Sequence, residues 1–534
     1  MTRTGRPFDR LLVANRGEIA IRVMRACREL GIETVAVYSD PDAAAPHVRF
    51  ADQAVRIGPA AASESYLRAD RIVEAALATG AQAIHPGYGF LSEQAPFAAA
   101  VEAAGIAFVG PAPETLSSLG DKLAARRSAT AQGVPIVPGT FEPLPAEDPA
   151  AMEGIAATAE QIGYPLLVKA SAGGGGRGMR RVDDPKDLPV AVATAAREAK
   201  QAFGDGSVYL EHYVEGGRHI EVQLLGDTHG RIVAMGERDC STQRRHQKLV
   251  EEAPAPGLSR EQRIRVHDLA VQVARSVGLR NAATAEFLFS RTGEFYFLEV
   301  NARLQVEHGV TELVSDFDLV HEQLWLAAGH PLSEEALAAA AAAPDPVRHA
   351  FELRISAEDP SRSFAPMPGR ITRWREPAGP GIRMDSGFEE GWRVSGDYDP
   401  LLSKLLVVAP DRERAIARAL RALDEFETGG VQTTIPFHRW LLSHPDFVSG
   451  DGLRTDFIDR TWDATPLRDA AARIAVELVA RTAFRGAPGG PAPALPPSAP
   501  PAPTGSGTDP RAGWVRPKAP DWGHAGRREA TERW

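Results

Sequence analysis

The sequence predicts a protein of mixed α/β and α+β class, with a parallel α/β unit at its N-terminus and strand-rich units after it. Three observations carry this expectation. A strand–helix–strand pattern occupies the stretch up to Tyr38, short strands dominate from about Tyr209 to Phe297, and a proline-rich tail follows the last amphipathic segment. At roughly 150 residues per domain, the 534 residues allow three or four units.

The first unit opens on Arg10 to Asn15 (RLLVAN), a short buried strand. Gly17 to Leu30 follows with Ile19, Val23, Cys27 and Leu30 at helical spacing, and Gly31 closes it. Thr34 to Tyr38 returns as a strand. Alternation continues with a helix over Arg68 to Thr79, a strand at Ala83 to His85, a helix near Gln94 to Ala104 and a strand at Ile106 to Val109, so the unit ends at residue 110. Thr115 to Gly133 reads as helix within a helical linker over 111–137. A further unit over 138–210 contains the strand Tyr164 to Ser171, which runs into the glycine cluster Gly173, Gly174, Gly175 and Gly176. The region 211–458 is strand-rich, with helices at Arg260 to Val277, Leu313 to Ala328 and Arg412 to Glu427. A helical extension occupies 459–485, with its helix at Arg468 to Phe484, and the tail covers 486–534.

Composition excludes several classes. Hydrophobic residues make up 43% and charged residues 24%, ordinary for a globular chain and unlike a disordered protein, a collagen-like fibre or a membrane bundle. The net charge of −10 argues against a nucleic-acid-coating role. No signal-peptide pattern follows Met1, and no apolar run has the length of a membrane span. Two cysteines, Cys27 and Cys240, cannot build a disulfide framework, and a reduced cytoplasmic setting is expected.

Chemistry concentrates in three places. The first is Lys169-Ala-Ser-Ala-Gly-Gly-Gly-Gly-Arg-Gly-Met179, whose glycines let backbone N–H groups close around phosphate oxygens. The segment after it does not start a helix, so a dinucleotide fingerprint is excluded and a phosphate-covering hairpin fits better. A flexible surface loop would have the same composition. The second is Glu286-Phe-Leu-Phe-Ser-Arg-Thr-Gly-Glu-Phe-Tyr-Phe-Leu-Glu299, where Thr292-Gly293 predicts a hairpin turn. Pairing Arg291 with Glu294 sets Glu286 opposite Glu299, two like charges that call for a cation. With the amide of Asn301 they form a hard-oxygen donor set suited to Mg²⁺ or Mn²⁺. The third runs on from there: Glu299, Asn301, Arg303, Gln305 and Glu307 alternate with apolar residues, which places five polar groups on one face of an extended segment. Arg303 would grip a small oxyanion and Glu307 would act as a base.

Three weaker signals stand beside these. Gln243-Arg-Arg-His-Gln-Lys248 is a basic cluster in an acidic protein, Cys240 reads as a packed small residue, and His85-Pro-Gly-Tyr-Gly-Phe90 lies at the C-terminal end of a parallel strand, where ligands bind in open α/β sheets.

These residues fall in motifs that strongly resemble the biotin carboxylases of the ATP-grasp superfamily. From about Leu11 to Ile458 they occur in family order: ANRGEIA (Ala14–Ala20), HPGYGFLSE (His85–Glu93), GDK (Gly120–Lys122), the Gly173 loop, ERDCSTQRRHQK (Glu237–Lys248), EEAPAP (Glu251–Pro256), EFLF (Glu286–Phe289), LEVNARLQVEH (Leu298–His308), RISAEDP (Arg354–Pro360) and DYDPLLSKL (Asp397–Leu405). The resemblance implies an ATP-grasp fold with a Rossmann-like N-terminal domain, a mobile lid domain and a C-terminal mixed α/β domain. It implies an ATP-dependent C–N ligase that phosphorylates bicarbonate to carboxyphosphate and carboxylates biotin, the first half-reaction of an acetyl- or propionyl-CoA type carboxylase.

Carried over position by position, the resemblance assigns ATP to Lys122, Lys169, the loop Gly173–Gly176, Glu211, Val214, His219, Gln243 and His246. It assigns the metal, Mg²⁺ or Mn²⁺, to Glu286, Glu299 and Asn301. Bicarbonate falls to Lys248, Arg303, Gln305 and the backbone of Val306, with Glu307 as base. Arg354 would stabilise the biotin anion and Tyr88 would line the biotin pocket. Two departures stand out: Gly309 where the family often has Pro, which puts the stiffness of a loop there in question, and Ser356 where Asn is commoner.

None of the seven methionines precedes a lysine, so the Met-Lys-Met biotinylation site is missing from these residues. The biotin carrier protein and the carboxyltransferase are therefore expected as separate partners, with the chain a homodimer or part of a larger carboxylase complex, and with no nucleic-acid or membrane partner. The tail, with Trp514, Trp522 and Trp534 on a basic segment, reads as either a docking peptide or a worn linker. Two other readings are a non-catalytic nucleotide-binding assembly subunit and an ATP-grasp carboxylate–amine ligase. The QVEH run and Arg354 count against the ligase, and intact Lys248, Glu286, Glu299, Arg303, Glu307 and Arg354 count against the assembly subunit.

Overall fold

Parallel pairing begins with the first strand. β1 (Arg10–Val13) lies between β2 (Glu33–Ser39) and β4 (Ala83–His85), with β3 (Gln53–Gly58) outside β2 and β5 (Ala107–Phe108) outside β4. The order is β3-β2-β1-β4-β5, all parallel, as the alternation predicts. The helix Gly17–Glu29 crosses from β1 to β2 and buries Ile19, Val23 and Cys27, the 3.6-residue stripe legible in the sequence. The computed structural model describes residues 3, 5–120, 122–144, 151–171, 179–245 and 247–485. The expectations for Gly173, Gly174, Gly175, Gly176 and His246, the side chain of Lys122 and the tail over 486–534 lie outside the described residues.

A small antiparallel sheet follows. β6 (Leu166–Ala170) pairs on one side with β7 (Arg180–Val182) and on the other with β8 (Val208–His212). Val168 opposes Arg180, so the two strands flanking the glycine cluster are the arms of a hairpin. The helices Met152–Ile162 and Leu188–Phe203 cover this sheet with Ile155, Ala159, Val192 and Ala195.

An eight-stranded antiparallel sheet carries the rest. It contains β9 (Arg218–Gly226), β10 (Ile232–Arg244), β11 (Gln247–Ala253), β12 (Asn281–Phe289), β13 (Phe295–Asn301) and β14 (His349–Ser356). The order is β13-β12-β9-β10-β11-β14, continued by the strands Leu401–Ala409 and Ile382–Ser386. The helix Arg260–Ser276 closes one face, capped by Ser259, whose side chain accepts from the N–H of Gln262 while the Gln262 amide oxygen accepts from the N–H of Ser259. The chain divides into two compact units, Met1–Ala471 and Ala472–Trp534. Among the described residues no helix is long and apolar enough to cross a membrane.

Four expectations change. The single helix expected over Thr115 to Gly133 is two, Pro113–Gly120 and Lys122–Ala131. Leu313 to Ala328 is also two, His308–Ser315 and Leu319–Ala327. Asp316 takes a left-handed φ of 56°, ending the first, and the Asp318 carboxylate accepts the N–H of His321 at 2.7 Å, starting the second. The extended segment expected over Glu299 to Glu307 stops at Asn301, and Glu307 becomes the N-cap of the helix that begins at His308. Gly309 accordingly sits inside that helix rather than in a loop.

The fourth concerns the hairpin. Glu286 does oppose Glu299, and Thr284 opposes Asn301. Nearer the turn, however, Phe287 opposes Phe297 and Phe289 opposes Phe295, one residue out of the expected register. The turn spans Arg291, Thr292 and Gly293, with Gly293 at φ +84°, and a bulge beside Glu286 restores the expected pairing. Bulges bend a strand and re-aim its side chains, and this one sits where the two carboxylates face each other.

Phe287, Phe295 and Phe297 are fully buried and meet edge to face, Phe287 and Phe297 with centroids 5.9 Å apart. Phe297→Ala is expected to lower unfolding stability by about 3–5 kcal/mol, read as a shift of the urea midpoint. A loss of less than about 1 kcal/mol would mean that this aromatic cluster does not anchor the hairpin.

Candidate active site

Neighbouring strands of the large sheet bring the acidic and basic groups together. β9 contributes His219 and Glu221, β10 Arg238, β11 Lys248 and Glu251, and β12 Glu286. β14 adds Arg354, and the turn after β13 adds Gln305 and Glu307. The centre is Lys248, whose Nζ donates to Glu221 Oε2 at 2.5 Å, Glu307 Oε1 at 2.7 Å and Glu286 Oε1 at 3.0 Å. Burial, the largest single influence, pulls the ammonium down, but these three carboxylates together hold it well above the usual lysine range.

Glu307 is gripped from both sides. Lys248 takes one oxygen and Arg354 Nη2 donates to the other at 3.0 Å. Burial pushes this carboxyl up, yet Lys248, Arg354 and Arg238 outweigh it and hold Glu307 well below the carboxylate range. It is therefore ionised and in the form a base requires. Arg354 also donates from Nε to Glu251 Oε1 at 2.7 Å.

Glu286 collects the amides. Asn301 Nδ2 donates to its Oε1 at 2.9 Å and Gln305 Nε2 at 3.1 Å, while His219 Nε2 lies 3.0 Å from Oε2. Burial opposes ionisation of Glu286, and Lys248 and His219 reverse it, leaving the group well below the carboxylate range. His219, Glu221 and Glu286 each offer a ligand atom within 4.8 Å of the others. Gln243 opposes Lys248 across the β10–β11 ladder.

Arg303 stays with Asn301 of the alternating set and also reaches outside it. Its Nε donates to Glu93 Oε2 at 3.0 Å and its Nη2 to Asn301 Oδ1 at 3.1 Å. Glu93 also accepts the N–H of Ala302 at 3.1 Å, so the segment after β4 fixes the direction of Arg303. Tyr88, from the same segment, donates to Glu18. His85 serves the turn instead: its Nδ1 accepts the N–H of Gly87 at 2.9 Å, and burial lowers the ring to about 4, so it stays neutral.

A second cluster lies on the small sheet. Lys169 Nζ donates to Glu211 Oε2 at 2.7 Å, and Arg126 grips the other Glu211 oxygen and the carbonyl of Val137 at 2.8 Å. The Glu211 side chain is thus held by two cations, and Val214 follows it, half-buried, in the connection to β9. Burial above all pushes both cysteine thiols up, Cys27 to about 12, as packed inert residues require.

Besides the carboxylates of Glu93, Glu221 and Glu251, two buried cations escaped the sequence reading. Arg238, fully buried, donates to Glu221 Oε1 at 2.5 Å, Gln223 at 2.9 Å, Thr311 at 2.9 Å, Gln305 at 3.0 Å and Thr284 at 3.2 Å. Lys404, also fully buried, donates to the carbonyl of Val306 at 2.6 Å and lies 3.4 Å from Glu18. The one signal that could have found Lys404 is a lone cation inside an apolar strand, LLSKLLVV.

Comparisons with known proteins identify the family and the fold. Residues 7–116 match the family described as biotin carboxylase, N-terminal domain, residues 121–335 the carbamoyl-phosphate synthase L chain ATP-binding domain, and residues 352–460 the biotin carboxylase C-terminal domain. Biotin carboxylase 1 of Bacillus subtilis is 46% identical over 460 residues, covering 85% of this chain and 99% of that protein. The biotin-dependent acyl-coenzyme A carboxylase alpha3 subunit of Mycobacterium leprae is 45% identical over 459 residues, 85% of this chain and 75% of that one. Among solved structures, the biotin carboxylase domain dimer of Hydrogenobacter thermophilus 2-oxoglutarate carboxylase, in complex with MgADP, ADP and bicarbonate, is 44% identical with a TM-score of 0.79, covering 85% of this chain and 97% of that one. With its parallel N-terminal sheet, its antiparallel ATP-grasp sheet and these matches along most of its length, the chain belongs to the biotin carboxylase family of ATP-dependent ligases.

Proposed function

We propose that this chain carboxylates biotin on a separate carrier protein with ATP and bicarbonate, as the first half-reaction of an acyl-CoA carboxylase of acetyl- or propionyl-CoA type. The observation that carries the reading is Glu307 held between Lys248 and Arg354. A base, an anion-binding cation and a cation for the biotin anion meet within one hydrogen-bonded group. The Mycobacterium leprae relative is named as an acyl-coenzyme A carboxylase subunit, which favours that acceptor class. The 534 residues contain no Met-Lys pair, so the biotin would be carried outside them. A homodimer working with carrier and carboxyltransferase partners completes the assignment.

The residues divide the work between binding and proton transfer. Bicarbonate lies against Lys248, Arg303, Gln305 and the backbone of Val306, which Lys404 fixes through its carbonyl. Lys248 and Arg354 then share their positive charge between Glu307 and the new anion. That weakens their hold on Glu307 and raises its affinity for the bicarbonate proton. Glu307 takes the proton, and the resulting carbonate attacks the γ-phosphate of ATP, releasing ADP and forming carboxyphosphate. This splits into CO₂ and phosphate, the phosphate removes the ureido N–H proton of biotin, and the nitrogen attacks CO₂. Arg354 stabilises the negative charge on the ureido oxygen, and Tyr88 lines the pocket.

Lys122, Lys169, Glu211, Val214, His219, Gln243, His246 and the loop Gly173–Gly176 make up the ATP site. The carboxylates of Glu286 and Glu299 and the amide of Asn301 are hard oxygen donors opposed across one hairpin, a set that fits Mg²⁺ or Mn²⁺. When bound, the ion neutralises phosphate charge during transfer.

Purified protein is expected to hydrolyse ATP only with bicarbonate present and faster when free biotin is added. A folded sample whose turnover ignores biotin would exclude the reading. Glu307→Gln keeps the shape and removes the base, so biotin-dependent turnover should fall by about 10²–10⁴-fold with folding retained; an unchanged rate would remove Glu307 from its role. Glu93→Gln frees Arg303 from its carboxylate, and the expected result is a raised KM for bicarbonate with little change in KM for ATP, measured by steady-state kinetics.

A further inference from the structure

Beside Arg354, whose Nη2 touches both Glu251 and Glu307, the sheet carries a second group of charges that the proposed reaction does not use. β11 and β14 are in register with Glu251 opposite Glu352, and directly opposed residues of an antiparallel pair project from the same face. Arg354, two residues along β14, shares that face and opposes Lys404, which in turn opposes Asp385. Glu251, Glu352 and Lys404 are all fully buried.

The hydrogen bonding of this group is lopsided. Arg354 satisfies Glu251 Oε1, but Glu251 Oε2 and both oxygens of Glu352 are buried and make no hydrogen bond among the described residues. The nearest cation to Glu352 is Lys404, at 3.9 Å, and its ammonium is already committed to Val306 and drawn to Glu18 and Asp385. Above Glu352 lies Gly309, where a Cβ would come within 3.3 Å of Glu352 Oε2, so the helix His308–Ser315 roofs the carboxyl with backbone. Two facing carboxylates in such surroundings cannot both stay ionised without a large desolvation cost.

We propose that Glu251 and Glu352 form a carboxyl dyad that keeps one shared proton beside Arg354, and that this proton leaves Arg354 free to stabilise the biotin anion. With the proton in place the dyad carries a single negative charge. Loss of the proton puts a second charge against the guanidinium, binds it more tightly to Glu251 and opposes a new anion beside it. Glu352 is thus a positioning residue acting through Arg354. The proposal rests on the assignment of Arg354 to the biotin anion.

The charged surroundings favour this state. Acting on the dyad are Lys404 from the strand Leu401–Ala409, Glu18 from the helix Gly17–Glu29, Lys248 from β11, and Arg354 and Glu307 in the site, while Asp385 and, through it, Arg383 stand behind Lys404. Burial first, with Lys404 opposing and Glu251 adding to it, holds Glu352 well above the carboxylate range. Glu251 is pushed up to about 7, by burial first, with Arg354 opposing and Glu307 adding. Both carboxyls are pushed up, as a pair that holds a proton between them requires.

The test is the pH profile of kcat/KM for biotin in the wild-type protein and in Glu352→Gln and Glu352→Met, together with infrared titration of the wild type. Wild-type kcat/KM is expected to fall on the alkaline side by about tenfold per pH unit, and a protonated-carboxyl band should disappear over the same interval. In Glu352→Gln, and in Glu352→Met if the amide variant does not fold, this alkaline limb is expected to vanish. A variant that is slower at every pH but keeps the limb would show a purely structural role and overturn the proposal, as would a wild-type protein whose carboxyl band does not titrate with the rate. Failure of the underlying reading is distinct: the wild type would then show no biotin-stimulated turnover at all.

Discussion

The charged face of the large sheet depends on Glu221, a carboxylate with no exposed surface that binds two cations at once. Arg238 takes one of its oxygens and Lys248 the other. A buried charge left alone would cost several kcal/mol, so the three groups stabilise one another only as a set. Arg238 reaches β12 through Thr284, the helix His308–Ser315 through Thr311 and the turn before it through Gln305. Lys248 reaches Glu286 and Glu307. Backbone pairing alone aligns the strands, but this ionic core fixes where Gln305 and Glu307 stand relative to them.

The arrangement divides rigidity from reactivity. Arg238 commits its guanidinium to fixed partners on every side and is structural. Lys248 shares Glu221 with Arg238 and Glu307 with Arg354, and neither Lys248 nor Arg354 is fully buried, so both can exchange part of that bonding for an arriving anion. A preorganised cationic face of this kind needs little reorganisation when charge develops, which is the main electrostatic route to rate enhancement. The N-terminal parallel sheet contributes at its carboxyl edge, where ligands bind in open α/β folds. There the segment after β4 supplies Tyr88 toward Glu18 and Glu93 toward Arg303.

The departures from family pattern acquire physical meaning in the fold. Gly309 is the second residue of a helix whose first turn accepts proline or glycine, and it lies close against Leu406 and Glu352. Its glycine costs unfolded-state entropy, roughly 0.5–1 kcal/mol relative to alanine, without freeing a loop. Ser356 donates its N–H to Thr434 Oγ1 at 3.1 Å.

The sequence by itself determined the parallel N-terminal unit, because a period of 3.6 between two apolar strands has one economical reading. It also set Glu286 opposite Glu299, although the sum of partner positions is not conserved along the hairpin. Even there the local turn was misread by one residue and a bulge made up the difference. Short-range pattern could not reveal that the alternation after Asn301 ends in a helix cap, since period-2 polarity also suits a turn whose polar groups are called inward by distant cations. Only the tertiary structure decided that Arg238 and Lys404 are buried, that Glu93 aims Arg303, and that Glu251 meets Glu352. Such contacts join residues far apart along the chain: Arg303 and Glu93 are separated by 210 positions, Arg354 and Glu251 by 103. Their energies come from desolvation and charge pairing, which depend on where strands finally lie and leave no periodic mark in the sequence.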